Sequence, residues 1–103
     1  MLGHSQCGAV KAAVELVLGK SAFPSAQFGQ IGQLAERIAP AVRRVEPTTA
    51  AHELMSRATV ANTLLTAAAL QRQPPILQAR VRDRSLLVIA ARYDIETGRV
   101  ALL

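Results

Sequence analysis

Gly3-His4-Ser5-Gln6-Cys7-Gly8, followed by Ala9-Val10-Lys11-Ala12-Ala13, is the stretch on which the fold of this chain turns. It holds the single cysteine and one of the two histidines. Imidazole and thiolate both suit a borderline-soft d¹⁰ cation, so His4 and Cys7 are candidate zinc ligands. Cys7 is expected in the first turn of a helix, where unpaired N–H groups and the helix dipole favour a thiolate. His4, just before that helix, can turn a ring nitrogen toward the same point. Gly3 and Gly8 keep side-chain bulk away from the ligands. Zinc takes three or four protein ligands, and this stretch supplies two.

Working outward, Met1-Leu2-Gly3 is too short for a strand of its own and reads as the end of one. Ser5 is a candidate N-cap for a helix over Gln6–Leu18, with Ala9, Ala12, Ala13, Leu16 and Val17 at helical spacing. Gly19 fits the position just past its end, and residues 19–30 read as a turn-rich connection. A second helix is predicted over Ile31–Val45, with Ile31, Leu34, Ile38 and Val42 as its stripe and Pro40 kinking or dividing it. Pro47-Thr48-Thr49 offers a cap for the longest helix, Ala50–Arg72, whose buried stripe is predicted as Leu54, Ala58, Ala61, Leu65 and Ala68. Gln73-Pro74-Pro75 ends it, and one or two helical turns follow over 75–82. The texture then changes. Leu86-Leu87-Val88-Ile89-Ala90-Ala91 has the pattern of a strand buried on both faces. Thr97-Gly98 marks a turn, so residues 85–103 are predicted to form a hairpin that needs further strands beside it.

At 103 residues the chain is one domain, able to bury roughly 65% of its extended surface. Half the residues are hydrophobic, but the aromatic ones are only Phe23, Phe28 and Tyr93, so packing must rely on Ala, Leu, Val and Ile. That scarcity removes the stacking array expected of a single-stranded nucleic-acid binder. The net charge of +5 is dispersed, with its densest groups at Arg43-Arg44 and at Arg80, Arg82 and Arg84, and reads as a solvated face. A lone cysteine forms no internal disulfide. There is neither a signal-peptide pattern nor an apolar run long enough to span a membrane. The expectation is a soluble, cytoplasmic protein that binds neither membrane nor nucleic acid.

His-x-x-Cys by itself is a weak pattern, more often a buried structural cysteine and a surface histidine than a zinc site. His52, in the long helix, reads as a solvated or capping residue rather than a third ligand. No oxyanion-hole pattern supports Ser5 as a nucleophile, and no glycine-rich phosphate loop is present.

The wider context changes the weight of the motif. Gly-His-Ser-Gln-Cys-Gly-Ala-Val-Lys-Ala-Ala resembles the second zinc-ligand segment of the β-class carbonic anhydrases. Tyr93-Asp94-Ile95-x-Thr97-Gly98-x-Val100 resembles that family's closing hairpin, and Pro74-Pro75-Ile76 the break before its last strands. Asn62 falls where the family often carries an asparagine. The resemblance implies an α/β fold with several helices packed on a mostly parallel sheet and a C-terminal strand hairpin. It also implies zinc held by His4 and Cys7, and reversible hydration of carbon dioxide to bicarbonate and a proton. The partners it implies are carbon dioxide and bicarbonate, with assembly into a dimer or tetramer.

The departures bear on activity. The family's Cys-x-Asp-x-Arg segment supplies a third zinc ligand, a possible fourth, and an Asp–Arg pair that orients the nucleophile. This sequence contains no such segment, so no catalytic residue is identified. Ala90 and Ala91 stand where the family commonly has a glycine. Residues 1–103 are therefore expected to be a single but incomplete domain, the C-terminal portion of the family fold, left by truncation, a misplaced start codon or gene decay. An upstream in-frame Cys-x-Asp-x-Arg in the genomic DNA would support a missed coding segment. Weak or absent activity follows from this comparison; the alternative is a non-catalytic interaction or oligomerisation remnant.

Overall fold

The computed structural model describes residues 1–20, 30–46 and 50–103. Along these residues run β1 (Leu2–His4), α1 (Gly8–Val17), α2 (Gln30–Arg43), α3 (Ala51–Gln71), α4 (Ile76–Arg82), β2 (Ala91–Tyr93) and β3 (Val100–Leu102). The sheet has the order β1-β2-β3. β1 runs parallel to β2 with Leu2 opposite Ala91, and β2 runs antiparallel to β3 with Ala91 opposite Leu102. The class is α/β, as expected, and the C-terminal hairpin is present. Among the described residues the sheet is mixed, with one parallel and one antiparallel pair.

α1 begins later than its sequence suggested, and Ser5 does not cap it. Gln6 takes φ +56°, in the left-handed region, so the chain reverses sharply between β1 and the helix. Cys7 follows in extended conformation and is the N-cap, its carbonyl accepting the Lys11 N–H at 3.0 Å. The far end matches expectation. Gly19 takes φ +65° and donates to the Leu16 carbonyl (3.2 Å), while the Lys20 N–H reaches the Glu15 carbonyl (3.0 Å), a Schellman ending.

Helix–helix packing makes the core. Val10, Ala13 and Val14 of α1 meet Ala35, Ile38 and Val42 of α2 and Leu54 and Ala58 of α3. Small side chains let the backbones approach, which the shortage of aromatics requires. The α2 face differs from its predicted stripe: Ile38 and Val42 are buried, but Ile31 and Leu34 are exposed and Gly32 and Ala35 take their place. The helix is rotated so that its smallest residues face α1. It also runs unbroken through Pro40, which lies on the exposed side, where water can satisfy the carbonyl that loses its partner.

α3 carries the predicted Leu54 and Ala58, but Ala61, Leu65 and Ala68 are only half-buried, and Thr59, Thr63 and Ala67 are buried instead. Its first half packs on α1 and α2, and its second half lies across the sheet, so no single stripe serves both. The Thr59 and Thr63 hydroxyls donate to the carbonyls four residues back, at 2.9 and 2.8 Å, which removes the cost of burying them. The segment 21–29 and the proposed cap Pro47-Thr48-Thr49 lie outside the described residues.

Leu86–Ala91 is not the doubly buried strand its composition suggests. Only Ala91 of this run belongs to β2, and Leu87 is 83% exposed. β1 and β3 are three residues each and pair with β2 no earlier than Ala91, so the strand ladder stops short of Leu86–Ile89, which is held by single bonds such as Gln71 Nε2 to the Val88 carbonyl (3.2 Å).

Candidate functional site

The opening motif and the closing hairpin meet in space. At the end of β1 the Ser5 N–H donates to the Tyr93 carbonyl (2.9 Å), and the Ser5 Oγ accepts the Ile95 N–H (3.0 Å). Gln6 Nε2 donates to Glu96 Oε1 at 2.5 Å. The left-handed Gln6 makes this possible, because it turns the Ser5–Gln6 pair back onto the hairpin. Ser5 is thus a bridge between motifs rather than a helix cap, a role invisible without the register of β1 on β2.

The hairpin is made rigid from within. Asp94 Oδ1 accepts the Glu96 N–H (2.9 Å) and the Thr97 N–H (3.0 Å), and the Gly98 N–H returns to the Asp94 carbonyl (2.9 Å). Gly98 takes φ +70°, which a side chain would resist. The amide donors, Thr97 first and Glu96 second, hold the Asp94 carboxyl below its ordinary range.

His4 closes β1 and is exposed. Its Nδ1 lies 2.9 Å from the Ser5 carbonyl oxygen. A carbonyl only accepts, so this bond puts the proton on Nδ1 and leaves the Nε2 lone pair available. Metal-ligating histidines are oriented by this kind of second partner. Cys7, three residues on, is a free thiol, half-buried against the core of α1–α3. It therefore has a packing role as well as a possible ligand role. Among the described residues, no group of three or more His, Cys, Asp or Glu converges on one point. His52 is exposed near the start of α3 and lines a cavity that Ser5 and Gln6 also line. Asn62 is half-buried on the same helix.

Sequence reasoning missed Arg92. It is the one charged residue within the apolar run from Leu86 to Tyr93, and that interruption was the available signal. Its Nε is buried with no hydrogen-bond partner.

The family model described as carbonic anhydrase matches residues 1–100. The chain belongs to the carbonic anhydrase family. Its fold is also that of "The structure of the beta-carbonic anhydrase CcaA", with a TM-score of 0.71 and 23% identity, over 98% of this chain and 48% of that one. The chain spans about half the length of that structure. No curated protein matches it. For a carbonic anhydrase zinc, the donor set fits in part: one oriented imidazole and one free thiol, two of the three or four ligands the metal takes. No helix among the described residues is long and apolar enough to cross a membrane.

Proposed function

We propose that this carbonic anhydrase chain carries two ligands, His4 and Cys7, of a zinc site for reversible hydration of carbon dioxide to bicarbonate and a proton. As it stands, the chain is weakly active or inactive. The observation that carries the proposal is the His4 contact, with Nδ1 held by the Ser5 carbonyl in a turn that is itself hydrogen-bonded to Tyr93 and Ile95. The chemistry a bound zinc supplies is acidification of water, whose pKa falls toward roughly 7. The chain's own part is positional. Ser5 fixes the tautomer and direction of His4, and the Gln6 reversal presents Cys7 at the head of α1. Carbon dioxide is small and uncharged, so recognition falls to apolar surface beside the metal rather than to charged side chains. The lone cysteine, which needs no oxidising compartment, fits a cytoplasmic setting.

Low activity follows from the ligand count and from the lack of an Asp–Arg pair to orient the nucleophile. Stopped-flow hydration assays with zinc content measured on the same sample test both parts. The expected result is substoichiometric zinc and little rate above buffer; full activity with one zinc per chain would overturn the low-activity claim. Zinc content unchanged by both His4→Ala and Cys7→Ala would overturn the ligand assignment.

A second reading is favoured by the exposure of Leu86, Leu87 and Ile89, at 37%, 83% and 49%. Such a run suits a non-catalytic interaction or oligomerisation module. Size-exclusion chromatography separates the two: a discrete dimer or tetramer supports the module, and a heterogeneous aggregate counts against it.

A further inference from the structure

Between α3 and the β2–β3 hairpin lies a cavity of about 260 Å³, away from the His4 imidazole and the Cys7 thiol, neither of which lines it. Arg92 enters it from β2, His52 and Ser56 from α3, and Ser5 from the turn after β1, with Asp94 and Glu96 also lining it. Arg92 stands opposite Gly3 on β1, where Thr63 and Thr59 of α3 pack against the glycine, and Thr59 also lines the cavity. The Arg92 Nε is buried and donates to nothing; the Arg92 charge acts on the nearby Asp94 carboxyl, but neither ion pair among the described residues uses its guanidinium. A buried charged donor without an acceptor is expensive, and the natural complement of a guanidinium edge is a planar anion that accepts from Nε and a neighbouring Nη together.

We propose that this cavity is a binding site for a small monovalent carboxylate anion, anchored by Arg92. The other groups set its limits. The Ser5 oxygen accepts the Ile95 N–H, so its proton remains to be donated, and the Ser56 hydroxyl adds a second neutral donor. Asp94 and Glu96 repel any anion in proportion to its charge, so they disfavour a dianion more than a monoanion. A volume of about 260 Å³ is ample for a ligand of a few heavy atoms. The assignment stands apart from the zinc proposal, because it uses neither His4 nor Cys7.

The test is a titration of the isotopically labelled chain, in chelator, with sodium formate, acetate and sulfate at constant ionic strength. The readouts are the Arg92 Nε–Hε resonance and the Ser5 and Ser56 amides. Formate and acetate are expected to give saturable shifts, with sulfate about tenfold weaker or more. Arg92→Gln is expected to weaken formate binding by about tenfold or more while the spectrum stays dispersed. Ser56→Ala, a milder change on the α3 wall, is expected to weaken it several-fold and serves if Arg92→Gln does not fold. Non-saturating shifts with both carboxylates would show a water-filled cleft and overturn the proposal. So would sulfate binding as tightly as formate, or unchanged affinity in a folded Arg92→Gln or Ser56→Ala.

Discussion

Gly3 shows how one missing side chain positions the site. A Cβ at this position would collide with the Thr63 Oγ1 and lie 3.3 Å from the Thr63 Cβ and 3.4 Å from the Thr59 Cγ2. Thr63 is 1% exposed and holds its hydroxyl on the Thr59 carbonyl, so it has nowhere to move. Gly3→Ala is therefore expected to destabilise the chain by about 1–3 kcal/mol in urea unfolding, and Thr63→Ala to recover part of that loss in the double variant. A double variant with no recovery would show that the collision is not the cause. Asp94 makes a second residue-scale prediction. Its folded-state pKa lies below the unfolded value of about 3.9, so the native hairpin binds fewer protons in acid than the unfolded chain does. Its contribution to stability is present above that unfolded value and is lost as the pH falls through the lower, folded one. The Thr97 and Glu96 amide shifts are expected to report this titration, and Asp94→Asn to abolish it. Both positions sit in motifs readable from sequence, yet the reason each residue is needed lies in a partner far along the chain or in the geometry of the turn.

At the scale of elements, the order of helices and strands was legible and their faces were not. Helical spacing located α1, α2 and α3 because alanine and leucine recur at the right period, and the Thr97-Gly98 turn located the hairpin. Periodicity cannot show which partner a helix meets at each turn. α3 leaves its Leu54–Ala58 stripe for Thr59, Thr63 and Ala67 because its neighbour changes from helix to sheet, and buried threonines that bond their own backbone carry no apolar signal. Ile31 and Leu34 misled for the related reason that the first half of α2 turns Gly32 and Ala35 inward, and the larger Ile38 and Val42 enter the core only further along. The half of α3 that did follow prediction gives a clean test. Leu54 is 5% exposed in the three-helix core, and Leu54→Ala is expected to cost about 2–5 kcal/mol in the same unfolding assay. A loss below about 1 kcal/mol would mean that the site collapses to fill the space.

For the whole molecule, the distribution of apolar surface matters more than its total. Leu2, Leu87, Ile89, Val100 and Leu102 are all exposed along the strands and the segment leading into β2, and Ile31, Leu34, Leu64 and Ile76 are exposed on the helices. Leu87→Lys is expected to lower self-association in sedimentation or size-exclusion measurements while leaving helix content unchanged, since Leu87 touches no part of the core cluster. Family membership was legible because two short motifs survive at opposite ends of the chain. The proposed metal site was legible only as two candidate ligands, His4 and Cys7, and no group of three donors forms among the described residues. The strand pairing has one more consequence. The Met1 ammonium donates to the Ile89 carbonyl (2.7 Å), the Ala91 N–H to the Met1 carbonyl (2.9 Å) and the Leu103 N–H to the Ala90 carbonyl (3.0 Å). Both chain ends therefore leave the sheet at the same end, on opposite sides of β2. A load applied between them would peel the outer strands away one hydrogen bond at a time instead of shearing all the bonds together. In an optical trap the sheet should give way at low force, and the three-helix core should be the part that resists.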